Sequence, residues 1–266
     1  MKSMICQMDN YIVSDENTLC RIDIFSAIGQ RDEQQDCAGF VLLPDSSLTV
    51  VCDGMGGLSA GKISSSHVVE RITKAYEDCS PLSRPKRFLL KAVATLDSEV
   101  HSLCDEKGNR INSGTTLVAA VAVQKTLHWM TVGDSRIYCL RNGCLEKLSC
   151  DHTYGEYLKE AYKDGQITEE SYQQEIIKGA GLISFIGIGN LKIIDCDTVS
   201  LMSGDRILLM SDGMYKYIPE DVIASVIDTI TAVEDVFHTF DSLATQFANK
   251  NNIERDNSTI AILSIK

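Results

Sequence analysis

Hydrophobic and polar positions along the chain repeat with two different periods. Short runs that alternate or stay continuously apolar lie at 22–27, 48–52, 117–123, 127–132, 137–140, 207–210 and 259–265. Runs of this length, rich in Val, Ile and Leu, predict β-strands, because strand side chains alternate between two faces. Arg141-Asn142-Gly143 separates 137–140 from a further run at 145–148, and Asn-Gly predicts a tight type I′ hairpin there. Elsewhere the apolar spacing lengthens to three or four. Pro85 is followed by Phe88, Leu89, Val93, Leu96, Val100 and Leu103, with the proline where a helix start tolerates it. Pro219 opens Val222, Ile223, Val226, Ile227 and Ile230, and 60–76 and 233–249 read as two more helices. Consecutive hairpins with helices in pairs do not suit a strict βαβ alternation. They predict an α+β fold of antiparallel sheets with helices packed outside.

One segment breaks the pattern. Residues 154–178 are charged and Tyr-rich, and 179–190 contain Gly-Ala-Gly and Gly-Ile-Gly-Ile-Gly. The reading is a mobile helical excursion, a surface flap near 154–190. No composition break marks a linker and no repeat is found, so a single domain over 1–266 is expected.

Composition narrows the classes. With 266 residues, 44% of them hydrophobic, and only 4 Pro, the chain can bury a sizeable core and does not have the composition of a disordered protein. No apolar run approaches a membrane span of roughly 18–20 residues, and the N-terminus lacks the apolar stretch of a secretory signal. The net charge of −12 opposes nucleic-acid backbones and anionic membranes, so neither is an expected partner. Ten Cys are scattered singly without a C-x-x-C pair, which fits reduced thiols and a cytoplasmic location. Cys52 and Cys139 fall inside apolar strand patterns, where Cys acts as a small hydrophobe.

Candidate chemistry is carried by aspartates. Asp53, Asp134 and Asp212 each follow a predicted strand closely, and Asp36, Asp151 and Asp256 stand in comparable short motifs. A strand fixes a carboxylate at a sheet rim, and a following Gly lets the backbone turn and approach a ligand. Any one Asp-Gly also serves as an ordinary turn. Several in one chain need a counter-charge, because carboxylates in one cleft repel. Oxygen donors without a His or Cys cluster favour Mg²⁺ or Mn²⁺ over Zn²⁺.

These motifs, taken in order, resemble those of the PPM or type 2C family of metal-dependent Ser/Thr protein phosphatases, in its compact bacterial form. The resemblance spans nearly the whole chain. It rests on Arg31-x-x-Gln34-Gln35-Asp36, Asp53-Gly54-Met55-Gly56-Gly57, Ser113-Gly114-Thr115-Thr116 and Gly133-Asp134-Ser135-Arg136. It continues through Leu148-Ser149-Cys150-Asp151-His152, Gly204-Asp205-Arg206, Ser211-Asp212-Gly213 and Asp256-Asn257-Ser258-Thr259. It implies a sandwich of two antiparallel β-sheets flanked by pairs of α-helices. It also implies hydrolysis of phosphoserine and phosphothreonine in proteins, possible substrates of a Ser/Thr kinase, by attack of a metal-bridging water.

By the same resemblance Asp53 bridges two Mg²⁺ or Mn²⁺ ions, the Gly54 carbonyl joins one of them, and Asp212 and Asp256 complete the other. Asp36 holds water behind the metals, Asp134 helps hold a third, weaker ion, and Arg31 grips the substrate phosphate. A water shared by two cations is a nucleophile near neutral pH, and an arginine fork matches two phosphate oxygens. This chain departs from the family pattern in three places. Met55 stands where vertebrate members carry a proton-donating His, so a metal-held water is left to protonate the leaving oxygen. Gln34 replaces the usual Asn, and the flap sequence diverges most.

Two rival readings accompany this one. The fold could serve as an inactive scaffold that binds phosphoproteins, although Asp53, Asp134, Asp212 and Asp256 are all present. Gly57-Leu58-Ser59-Ala60-Gly61 fits the G-x-S-x-G elbow of serine hydrolases, with Asp212 and His238 following in a workable order. The elbow needs a strand running into it, and the predicted strand stops at Cys52. His67 and His152 are read as surface or helix residues and Trp129 as core.

Overall fold

The computed structural model describes residues 1–57, 59–80, 82–105 and 107–266. Two antiparallel sheets face each other. The first has the order β1 (Lys2–Cys6), β4 (Asp36–Leu42), β5 (Ser46–Gly56), β7 (Leu117–Val123), β8 (Thr126–Val132) and β11 (Asp195–Ser200), with β6 (Ser113–Thr115) paired to the far part of β5. The second has the order β10 (Cys144–Lys147), β9 (Arg136–Arg141), β12 (Arg206–Met210), β13 (Ser258–Ile265), β3 (Cys20–Ala27) and β2 (Asn10–Glu16). Helices α1 (Ala60–Cys79) and α2 (Pro85–His101) cover the first sheet, and α6 (Glu220–Thr229) and α7 (Val233–Asn251) cover the second. This is the α+β sandwich with paired outer helices that the sequence predicts.

The period-2 pattern explains the layers. In β7, Val118, Ala120 and Ala122 point into the space between the sheets, while Leu117, Ala119 and Val121 point to α1 and α2. Both faces are buried, so the strand reads as continuous apolar sequence. A third core lies on the other side, where Leu208, Met210, Ile260 and Ile262 meet Ile223, Ile227, Phe237 and Phe240 of α6 and α7. The predicted hairpin forms at β9–β10, with Asn142 at φ 51° and Gly143 at φ 75°, both values that a type I′ turn requires. Trp129 is core, at 5% exposure.

Several elements differ from expectation. The strand predicted over 48–52 runs on to Gly56, because Gly54, Met55 and Gly56 pair with Thr115, Gly114 and Ser113 of β6. Strands β1, β2, β4 and β11 are absent from the sequence reading. The Tyr-rich excursion forms α3 (Tyr154–Lys163), α4 (Glu169–Glu175) and a short 3₁₀ turn. Thr153 and Thr168 cap α3 and α4, each accepting a backbone N–H three residues on. The flap is tied back through its ends, where Thr115 and Ile186 exchange two backbone bonds and Tyr154 N–H donates to the Gly181 carbonyl at 2.8 Å. All ten cysteines are free thiols, and among the described residues no helix is long and apolar enough to cross a membrane.

Candidate active site

Strand ends and their turns gather the predicted aspartates at one rim of the sandwich. Asp36 opens β4 and lies directly opposite Asp53 in the β4–β5 register. Asp212 follows β12 and begins α5 (Asp212–Tyr215), while Asp256 precedes β13, the neighbour of β12. Asp134 lies in the turn between β8 and β9. Asp36 and Asp53 are thus held within paired strands, while Asp134, Asp212 and Asp256 stand two residues from a strand end, in short turns or the first turn of α5.

The supporting bonds run through small hydroxyl and amide groups. The Ser211 hydroxyl donates to Asp36 Oδ2 at 2.8 Å and accepts the Thr259 N–H at 2.9 Å. Gln34 accepts the Asp36 N–H at 3.0 Å and donates to Ser26, which meets Thr259 at 2.9 Å. The longer Gln34 side chain thus fulfils a bridging role from a buried position. Thr116 Oγ1 accepts the Asp53 N–H at 2.9 Å and pairs with Ser135. Asn257 accepts the Gln35 N–H and donates to the Ile28 carbonyl, joining the Arg31 loop to the Asp256 loop. Gly54 is obligatory, because a Cβ there would stand 2.2 Å from the Gly61 carbonyl oxygen of α1.

Electrostatics set this cluster apart. Burial raises the Asp53 carboxyl well above the usual carboxylate range, and Asp36, Asp212, Asp134 and Asp256 raise it further. Burial also pushes Asp36 up to about 7; the Ser211 and Thr259 hydroxyls pull it back, and Asp212 and Asp256 add to the rise. Asp134 goes up to about 6, through burial and then Asp212. Two basic side chains answer five carboxylates. Arg31 Nη2 donates to Asp256 Oδ2 at 2.9 Å, and Lys216 Nζ donates to Asp212 Oδ2 and lies 3.9 Å from Asp134 Oδ2. Burial pulls the Lys216 ammonium down, but Asp212, Asp134 and Asp53 outweigh it and the net direction is up.

Divalent cations fit this arrangement. The donors are carboxylate oxygens, the cluster is short of positive charge, and Asp36 Oδ1 is buried with no hydrogen-bond partner among the described residues. Among the described residues, no three His, Cys, Asp or Glu side chains converge as a ready-made cage. Asp256 meets Arg31 and Asp212 meets Lys216 at the edges of the cleft.

Four predicted or passed-over residues have clear places. Asp151 lies outside the cluster, because Arg136 and Lys147 claim it at 2.6 and 2.7 Å. His152 is buried at 3% exposure rather than on the surface, with its Nδ1 accepting the Gly133 N–H at 3.1 Å beside Asp134. His67 lies on α1 and pairs with Glu99. Tyr215 was missed by sequence reasoning; its hydroxyl donates to the Asp134 carbonyl at 2.8 Å and its ring lies 3.5 Å under the Arg136 guanidinium.

The serine-hydrolase reading loses its chemistry. The strand does lead toward Ser59, whose φ of 59° is left-handed. Its hydroxyl, however, donates to Glu33 at 2.8 Å, and His238 is exposed on the outer side of α7 beside Asp235 and Thr239. Among the described residues the Ser59 hydroxyl meets the Glu33 carboxylate and no histidine.

Comparison with known proteins finds relatives along most of the chain. The family model described as Protein phosphatase 2C matches residues 26–252. The protein phosphatase PhpP of Streptococcus pneumoniae is 28% identical over 248 residues, covering 92% of this chain and 97% of its own. A solved serine/threonine phosphatase of S. agalactiae is 26% identical, with a TM-score of 0.76 and full coverage of both chains. The catalytic domain of the serine/threonine protein phosphatase PstP, solved in complex with two manganese ions, is 25% identical with a TM-score of 0.73, covering 93% of this chain and 98% of its own.

Proposed function

The chain belongs to the protein phosphatase 2C family, and from that premise we propose that its aspartate rim is a two-metal centre that hydrolyses phosphoserine and phosphothreonine in proteins. As a member of that family it is an enzyme, a protein-serine/threonine phosphatase. The single observation that carries the metal reading is the facing pair of a buried Asp36 and a part-buried Asp53, with no basic side chain bonded to either among the described residues. Asp53, the Gly54 carbonyl, Asp212 and Asp256 would hold two Mg²⁺ or Mn²⁺ ions. Such ions supply a nucleophile from water at neutral pH and offset the charge of the transferring phosphoryl group.

The chain's own residues do the rest. Asp36 Oδ1 is the atom left free to accept a hydrogen bond from the attacking water, since Oδ2 is taken by Ser211. Arg31 is half exposed at the mouth and uses one nitrogen on Asp256. Its remaining N–H groups have no protein partner among the described residues, so they can grip two phosphate oxygens and orient phosphorus for attack. Met55 offers no proton to the leaving hydroxyl. The substrates are phosphorylated proteins, of the kind a Ser/Thr kinase produces. The whole chain is one catalytic domain, and its ten free thiols suit a reducing, cytoplasmic setting.

The test is turnover of phosphoserine, phosphothreonine and phosphotyrosine peptides with and without Mn²⁺. Metal-dependent release of phosphate from the first two supports the reading. No turnover with retained phosphopeptide binding favours a scaffold. Cleavage of an acetyl ester without metal would restore Ser59.

A further inference from the structure

Lys216 occupies a corner of the cleft to which sequence reasoning gave an ion. Helix α5 is a single turn, and Lys216 follows Asp212 by four residues, which brings the two side chains to the same face. The backbone bond from Lys216 N–H to the Asp212 carbonyl, at 3.0 Å, fixes the lysine stem relative to that carboxylate. On the other side, the Tyr215 hydroxyl holds the Asp134 backbone at 2.8 Å, and Tyr215 is in turn covered by Arg136 at 3.5 Å. The ammonium is thus placed between two carboxylates, each anchored by its own element.

We propose that Lys216 is the resident cation of the Asp134–Asp212 corner, filling the place an additional divalent ion would take, so that the cleft accepts two ions and no third. The inference rests on the two-metal reading. Its physical basis is that a fixed ammonium satisfies Asp212 and neighbours Asp134 while repelling any further cation brought to the same oxygens. Asp134 then acts as a positioning residue for Lys216. The lysine leaves the enzyme with a fixed positive charge at this corner whatever the free metal concentration.

The experiment counts Mn²⁺ per chain, by calorimetry and by metal analysis after equilibrium dialysis, on the full-length protein. The wild type should hold two ions. Lys216→Asp replaces the ammonium by a third oxygen donor beside Asp134 and Asp212 and should hold three. Adding Asp134→Ala to that variant should return the count to two. Lys216→Gln keeps most of the stem without the charge, and covers the case in which the acidic variant fails to fold; it should show a weak third ion that the wild type lacks. Three ions on the wild type, or two on every Lys216 variant that keeps the wild-type circular dichroism, overturns the proposal and leaves the two-metal reading standing. A wild type that holds no ion overturns both.

Discussion

Replacing Asp36 by Asn should stabilise the metal-free protein while removing its catalytic use. Asp36 is 1% exposed, and burial together with Asp212 and Asp256 puts its pKa at about 7. An unfolded Asp titrates near ~3.9. Between about pH 4 and pH 7 the folded chain keeps a proton that the unfolded chain has released, so stability falls as pH rises through that window. Above it, the buried carboxylate costs on the order of 4 kcal/mol, from about 1.4 kcal/mol for each unit between the two values. Asn keeps an oxygen for the Ser211 hydroxyl and carries no charge. Thermal unfolding in EDTA should therefore show little difference between the two proteins at pH 4. At pH 8 the variant should melt higher by roughly 8–16 °C, at about 2–4 °C per kcal/mol for a chain of this size. Manganese should narrow or reverse the gap, since ions at ~100 times their Kd stabilise the wild type by about 2.7 kcal/mol. A variant that melts at or below the wild type at pH 8, or above it by the same margin at both pH values, refutes the reasoning.

Three further outcomes follow from the same structure. Asp53→Asn should keep the fold by circular dichroism and lose more than about tenfold in Mn²⁺-dependent phosphopeptide turnover, a barrier increase above ~1.4 kcal/mol. Arg31→Lys keeps the charge and loses the fork, so steady-state kinetics should show a raised KM with metal affinity little changed. Arg141→Ala strands the buried Asp205 carboxylate, which the part-exposed Arg141 meets at 2.7 and 2.6 Å, and should cost roughly 2–3 kcal/mol by urea unfolding at pH 7. Burial pulls the Asp205 carboxyl upward, but Arg141 and the Met202 N–H outweigh it and hold it low. The wild-type advantage should therefore persist down to about pH 4 and fade as pH falls through the depressed value.

The central layers of the fold were legible because burial on both faces writes long apolar runs. β7 and β8 pack between the inter-sheet core and the helices, so every position has a reason to be apolar. The strands that escaped notice lack that signature for different reasons. β1 and β2 are sheet edges with mostly exposed side chains, where polar residues are the norm. β4 is fully buried, but its central Gly39 weakens the strand pattern, and the helix α1 packs against that strand closely enough that a Cβ at Gly39 would meet Val69 at 2.7 Å. The strand boundary at Cys52 was misplaced because Asp-Gly reads as a turn. Pairing with β6, a contact from another part of the chain, keeps it extended to Gly56.

The acidic half of the site was visible for a related reason, and the basic half was not. A carboxylate just past a strand and followed by Gly or another small residue is a local pattern, so Asp53, Asp134 and Asp212 stand out one at a time. What neutralises them depends on geometry that no local pattern carries. Lys216 matters only because residues 212–215 close into a helical turn, which turns a spacing of four into a contact. Read as strand, turn and loop, the same lysine would be an exposed charge of no consequence. Arg31 reaches Asp256 across 225 positions of sequence, and Ser211 reaches Asp36 across 175. The cleft thus carries side-chain cations of its own, beside the carboxylates that divalent ions would use. If the proposed metal centre is right, ion affinity should accordingly depend on Arg31 and Lys216 as well as on the aspartates assigned to the ions, which metal titration of charge-removing variants would read.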